Sequence, residues 1–320
     1  MAVHLINPME DYTGAELHTA NLYRILSEHT DVTIWSTLEP HPRLAELVPI
    51  RRIEAWRGRM PIGGTIVFVG FYYYVGQWAA FTPNRRRILV CNTDHVPSFR
   101  HFYRRISLYG RRTVELVHVS ESIKQMVGLP GWICPSPIDL ELYSVVSAPR
   151  DAAFTVGRHS RDTLQKHHDN EPAFYSRLLA AGCKVRVMGG TLLRDRMAPC
   201  PGNLELLPFG AEASSSFLQQ LDCFYYRTNS SFFEAYGRVV FEAMACGLPV
   251  VVHRSGGYAE FLTHGEDAFI FDTDDEAFAI IMRLRADPGL RARIGANARK
   301  RVIQIYSDRQ LSELKQYYLS

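Results

Sequence analysis

A chain of 320 residues is long enough for two domains of roughly 150 residues each. Its 47% hydrophobic and 22% charged residues and its net charge of +3 are ordinary globular values, which exclude a fibrous or wholly disordered chain. No run of 18 apolar residues predicts a membrane span, and the opening MAVHLINPMEDYTG lacks the basic and apolar regions of a leader. The six cysteines (91, 134, 183, 200, 223 and 246) form no C-x-x-C pair and no framework spacing, so reduced thiols and a cytoplasmic location are expected.

The first half alternates short apolar runs with helical patterns. VHLINP (3–8) reads as a strand, and residues 15–28 as a helix with Leu17, Ala20, Leu22, Ile25 and Leu26 on one side. DVTIWS (31–36), TIVFVG (65–70), RILVCN (87–92) and VELVHVS (114–120) are further strands, rich in β-branched residues. GWICPSPIDLELY (131–143) reads as a strand running into an interdomain linker. A second series starts at DAAFTVGRHS (151–160), with a strand AAFTV ending just before Gly157. KVRVMGG, NLELLPFG, DCFYYRT, PVVVH and AFIFD continue it, and residues 276–286, the stretch after Asp287-Pro288 and 309–319 are helical in pattern. This order predicts an α/β chain with two parallel sheets, residues 1–145 forming one domain and 150–305 the other.

Charge is unevenly spread. Eight arginines (85, 86, 87, 100, 104, 105, 111 and 112) face one acid, Asp94, and are interleaved with Phe99, Phe102, Tyr103 and Tyr109. A basic surface with exposed aromatics suits anionic lipid headgroups, a pyrophosphate-linked acceptor or nucleic acid; the alternative is a solvated helix face. Asp272 and Asp274 form a D-x-D pair, but the acids that follow them predict a helix start rather than a metal site.

The densest signal is SFFEAYGRVVFEAMACGLPVVVH (231–253). It reads as loop, helix, glycine stop and strand, with Gly247 suited to a left-handed position and Pro249 unable to continue the helix. Glu234 and Glu242 flank a helix N-terminus whose dipole suits a phosphate. The stretch resembles the Glu-x7-Glu signature of retaining GT-B glycosyltransferases of family 4, the glycosyl transferases group 1. That signature reads approximately E-x-F-G-x-x-x-x-E-A-M-A-x-G-x-P-V-V, and Tyr236 stands where Phe is commoner.

The resemblance implies two Rossmann-like domains facing a central cleft, the first for the acceptor and the second for the nucleotide sugar, with residues 306–320 packing back on the first. It implies that Gly157-Arg158 and a following lysine meet the donor diphosphate. Here Lys166 follows after a longer gap than usual, so Arg161 is also a candidate cation. Glu242 would take the ribose hydroxyls, Glu234 the donor sugar, and the backbone amides of Tyr236, Gly237 and Arg238 the distal phosphate. In the first domain, Gly14 would lie against the phosphates, unless its turn is a plain helix start capped by Thr13. His95 would contact the donor sugar or shape the acceptor site.

The implied activity is transfer of a hexose from a UDP- or GDP-sugar to a glycan, lipid-linked or small-molecule acceptor, with retention, by a same-face mechanism. No metal or other cofactor is expected, and no nucleic acid; an anionic membrane surface would meet residues 85–112 from the cytoplasmic side. The other readings are a non-catalytic sugar-nucleotide or membrane-surface binding subunit of the same fold, and a sugar-nucleotide epimerase.

Overall fold

Strands buried between helical layers have no water to satisfy their N–H and C=O groups, so they pair along their length. The computed structural model describes residues 2–71, 73–109, 113–145 and 153–320. They form two compact units, Met1–Ile138 with Tyr306–Ser320, and Asp139–Ile305. Residues 139–145 therefore group with the second unit rather than with the first, while 146–152 lie outside the described residues.

In the first unit β1 (Ala2–Asn7), β2 (Asp31–Ser36), β3 (Ile50–Arg52), β4 (Thr65–Val69), β5 (Arg86–Cys91), β6 (Val114–His118) and β7 (Trp132–Ile133) make one parallel sheet in the order β3-β2-β1-β4-β5-β6-β7. β3, with the sequence IRR, has no apolar run to betray it, and only its pairing with β2, Ile50 to Arg52 beside Ile34 to Ser36, makes it a strand. β7 is two residues long rather than a full strand; Pro135 and Pro137 have no N–H for a ladder. The helices are α1 (Gly14–Ser27), α2 (Pro42–Leu47), α3 (Trp78–Phe81), α4 (Val96–Leu108) and α5 (Glu121–Val127). The C-terminal helix, Asp308–Leu319, also belongs to this unit, where Tyr317 lies 4.4 Å from the Trp132 ring.

Among the described residues, part of the arginine-rich run is taken up by packing and ion pairs. Arg86 is clasped by Glu115 at 2.5 Å and lies over the Tyr317 ring. Arg87 is buried, donating to Asn84 Oδ1 and to the carbonyls of Ala79 and Ile106. Phe99, Phe102 and Ile106 are the core face of α4, while Arg100 and Arg104 point outward. The interleaving of charge and ring is the period of an amphipathic helix. Arg111 and Arg112 lie outside the described residues.

The second unit has β8 (Thr155–His159), β9 (Lys184–Met188), β10 (Leu204–Leu207), β11 (Cys223–Tyr226), β12 (Val250–His253) and β13 (Phe269–Phe271), parallel in the order β10-β9-β8-β11-β12-β13. Its helices are α6 (Glu171–Ala180), α7 (Ser214–Gln219), α8 (Arg238–Ala245), α9 (Asp274–Ala286) and α10 (Pro288–Ile305). The chain moves from β8 outward to β10, then returns to β11 beside β8, so the switch point of this sheet lies between β8 and β11. Ligands of open α/β sheets bind at the carboxyl ends of the strands at such a point. α8 ends as its sequence predicts: Leu248 N–H reaches Ala243 O and Gly247 N–H reaches Met244 O, with Gly247 at φ 73°. The D-x-D pair flanks a helix start, where Thr273 and Glu276 form a capping box and Asp272 and Asp274 pair with Arg254 and Arg227.

Candidate active site in the second unit

β8 is three residues longer at its carboxyl end than the apolar run suggests. It continues through Gly157, Arg158 and His159, each paired with β9, so Gly157-Arg158 is strand and not the loop expected after it. A Cβ on Gly157 would lie 2.6 Å from Leu221 and 2.7 Å from Arg186 O; glycine is there for close packing of the sheet, not for a phosphate. Arg158 is completely buried. Its guanidinium pairs with Glu171 of α6, donates to Arg227 O and Lys166 O, both at 2.6 Å, and lies 4.6 Å over the Tyr226 ring. Its Nε is buried without a hydrogen-bond partner. Gly157 and Arg158, expected in a loop at the diphosphate, thus lie in the strand and pack into the sheet.

What Arg158 holds is Lys166. The lysine's carbonyl accepts from Arg158, and the next residue, His167, is pinned by Glu171 Oε2 at 2.9 Å and Gly189 O at 2.8 Å. Lys166 Nζ thereby reaches Glu234 Oε2, across 68 positions of sequence, and sits 4.6 Å over the Phe232 ring. The Tyr226 hydroxyl, at the end of β11, donates to that same carboxylate oxygen at 2.6 Å. Burial pushes the Glu234 carboxyl up, but the Lys166 ammonium and the Tyr226 hydroxyl outweigh it and hold the group below the usual carboxylate range. Burial lowers Lys166, with Glu234 opposing. Arg161 is exposed, its charge is felt by both Lys166 and Glu234, and its side chain has no hydrogen bond or ion pair among the described residues.

Three residues beyond Glu234 the chain turns at Gly237, the N-cap of α8, with φ 74°. A Cβ there would lie 2.5 Å from the Tyr258 ring and 3.2 Å from Glu234 Cγ, so both conformation and space demand glycine. No side chain caps this helix end. Tyr236 is buried, stacked on Phe241 at 4.5 Å, and leaves only its backbone for a ligand. Glu242, one helical turn after Arg238, is buried, with an oxygen 3.4 Å from the Arg238 guanidinium and another 3.4 Å from His159 Nε2. Burial lowers His159, with Glu242 opposing, so its ring is neutral at neutral pH.

Lys166, Arg161, Glu234, Gly237, Arg238 and Glu242 thus gather around the carboxyl ends of β8 and β11. Gly14 and His95 belong to the first unit. Gly14 opens α1, where the Thr13 hydroxyl bonds Glu16 and does not cap the backbone; His95 is exposed at the start of α4. The sequence reading missed Tyr226, His159, His167 and Glu171. Tyr226 and His159 end strands at the switch point, a signal usable only once strand order is known.

Fold and site together define an α/β protein of the GT-B class, two Rossmann-like units with a polar cluster at the switch point of the second. Residues 200–301 match the family model of the glycosyl transferases group 1. Sucrose synthase of Solanum tuberosum is 26% identical over 203 residues, which cover 60% of this chain and 23% of that protein. The lipopolysaccharide core biosynthesis glycosyltransferase LpsD of Rhizobium meliloti is 34% identical over 82 residues, 25% of this chain and 24% of its own. The matches span between 10% and 24% of the length of such curated relatives. The crystal structure of Anabaena HepE in complex with UDP-glucose covers 99% of this chain and 98% of its own, at TM-score 0.76 and 16% identity. Sucrose-phosphate synthase from Thermosynechococcus elongatus does so at TM-score 0.74 and 14% identity, again 99% and 98%. Identities this low speak for the fold. Among the described residues no helix is long and apolar enough to cross a membrane.

Proposed function

We propose that the chain is a retaining glycosyltransferase that moves a hexose from a UDP- or GDP-sugar to an acceptor hydroxyl without a metal ion. The observation that carries this reading is the convergence of Lys166, Glu234 and the uncapped α8 N-terminus at one switch point. The HepE complexes with UDP and UDP-glucose favour a uridine donor.

In the transfer, the bond between the anomeric carbon and a diphosphate oxygen breaks, and negative charge grows on that oxygen. Lys166, the exposed Arg161 and the positive end of α8 are fixed charges that stabilise it. In same-face transfer the departing oxygen takes the acceptor hydroxyl's proton while the acceptor oxygen bonds to the same face of the sugar. Configuration is retained with no sugar–enzyme bond, and most of the rate comes from positioning and charge. Glu234 then binds sugar hydroxyls, and Glu242 those of the ribose. Arg158 acts on the reaction only by holding Lys166 and Tyr226. The acceptor is a glycan, a lipid-linked or a small-molecule hydroxyl, and the proposed location is the cytoplasm, with the exposed Arg104 toward an anionic membrane.

The test is slow donor hydrolysis. The protein is incubated with UDP-glucose and with GDP-mannose, nucleotide release is measured with and without EDTA, and the first-formed anomer of the free sugar is read by NMR. Retention and unchanged rates in EDTA are expected. Initial inversion would overturn the retaining assignment. Tight nucleotide binding with no turnover of any sugar nucleotide would make the chain a binding subunit.

A further inference from the structure

In the first unit, one face of α4 and the loop after β4 line an open cavity of about 460 Å3, with Phe71, Tyr73, Ser98, His101, Phe102 and Arg105 among its walls. Its size lies in the range of small-molecule sites, roughly 300–1,000 Å3. The walls are set in place. Tyr73 donates its hydroxyl to Ile6 O at 3.0 Å and meets Phe102 edge-on at 5.5 Å; Phe71 meets Phe99 edge-on at 6.0 Å. Aromatic faces thus bound the cavity, and their polar atoms are spent elsewhere.

Arg105 is the exception. Its guanidinium lies 5.5 Å from both the Tyr74 and the Phe102 rings, held between them, yet its buried Nε has no hydrogen-bond partner. Among the described residues no carboxylate pairs with it, and His101 stands one turn earlier on the same helix face. A buried donor without an acceptor is costly; of the arginines whose Nε is so placed (Arg105, Arg158, Arg227 and Arg238), Arg105 is the one that lines this cavity. An arginine fork offers paired N–H donors to phosphate or carboxylate oxygens.

We infer that this cavity binds an amphiphilic organic anion, its phosphate or carboxylate head at Arg105 and His101 and its apolar body against Phe71, Tyr73 and Phe102. The inference stands on the first unit alone and does not need the transferase reading.

Isothermal titration of the full chain with decyl phosphate and with decanoate, each below its micellar concentration, tests it. One-site saturable binding of at least one is expected, at least about ten-fold tighter than decanol or inorganic phosphate alone. Arg105→Gln should weaken that binding about ten-fold or more, with Arg105→Lys recovering part of it. Ser98→Trp, which fills the cavity, should abolish it while the circular dichroism spectrum stays as in the parent chain. Equal affinity for decanol, no loss in Arg105→Gln, or no saturable binding of either anion would overturn the proposal.

Discussion

Lys166 and Tyr226 donate to the same oxygen of Glu234, so one carboxylate in the second unit is counterion to the lysine and acceptor for the tyrosine. The three residues come from the segment after β8, the end of β11 and the loop before α8. Under the proposed function a donor diphosphate would compete with Glu234 for Lys166, and the carboxylate so released would be free for sugar hydroxyls.

Lys166→Ala should lower kcat by roughly 100- to 1,000-fold and weaken UDP binding, because it removes a fixed cation from the leaving group. Glu234→Gln should lower kcat while UDP binding holds or tightens. Steady-state kinetics with UDP-glucose, beside calorimetric UDP affinities, read both; unchanged kcat in Lys166→Ala would remove the lysine from the reaction.

The Arg158–Glu171 pair is buried, and breaking it should act on stability first. Arg158→Met is expected to cost about 3–5 kcal/mol in urea unfolding, since Glu171 is left charged and uncompensated. The double variant Arg158→Met with Glu171→Met should recover much of that loss. A single variant as stable as the parent chain, with UDP affinity alone reduced, would mean that Arg158 is a ligand contact after all.

Two glycines should respond differently to alanine. Gly157→Ala presses on Leu221 and the β9 backbone and should destabilise by roughly 1–3 kcal/mol, with little effect on UDP affinity per folded molecule. Gly237→Ala forces a side chain into φ 74° and against Tyr258, at the proposed phosphate end of α8, so both stability and UDP affinity should fall. Paired melting and calorimetry separate the two.

His159 gives a pH dependence with a defined sign. Its folded pKa is lowered from 6.5 by burial, so below about 6.5 the unfolded chain takes up a proton that the folded chain refuses. Its contribution is complete above that value and is lost as pH falls, by up to about 1.4 kcal/mol per pH unit. Urea unfolding at pH 7.5, 6.5 and 5.5 should show a steeper fall in the parent chain than in His159→Leu. Equal slopes would mean that His159 takes up its proton equally in the folded and unfolded chains.

Much of the chain is legible one residue at a time. Alternation of β-branched runs and amphipathic segments marks all but the polar β3 and the proline-cut β7, because a strand buried on both faces has to be apolar. The end of α8 is equally local: Gly247 and Pro249 act on their own backbone. The placement of Glu234, Gly237 and Glu242 on one loop and one helix follows from their spacing along the chain, within reach of short-range rules.

Residue types and local spacing were thus enough for the α/β class, the element order and the position of the glutamate pair. They were not enough to say which cation meets Glu234. Arg158 is adjacent to the end of an apolar run and looks like a loop cation, yet the pairing of Arg158 with Val187 and of His159 with Met188 carries β8 onward and turns the guanidinium toward Glu171. Lys166, farther along the chain, arrives instead. That choice depends on a hydrogen-bond ladder and an ion pair between segments distant in sequence, and such contacts exist only once the sheet has closed.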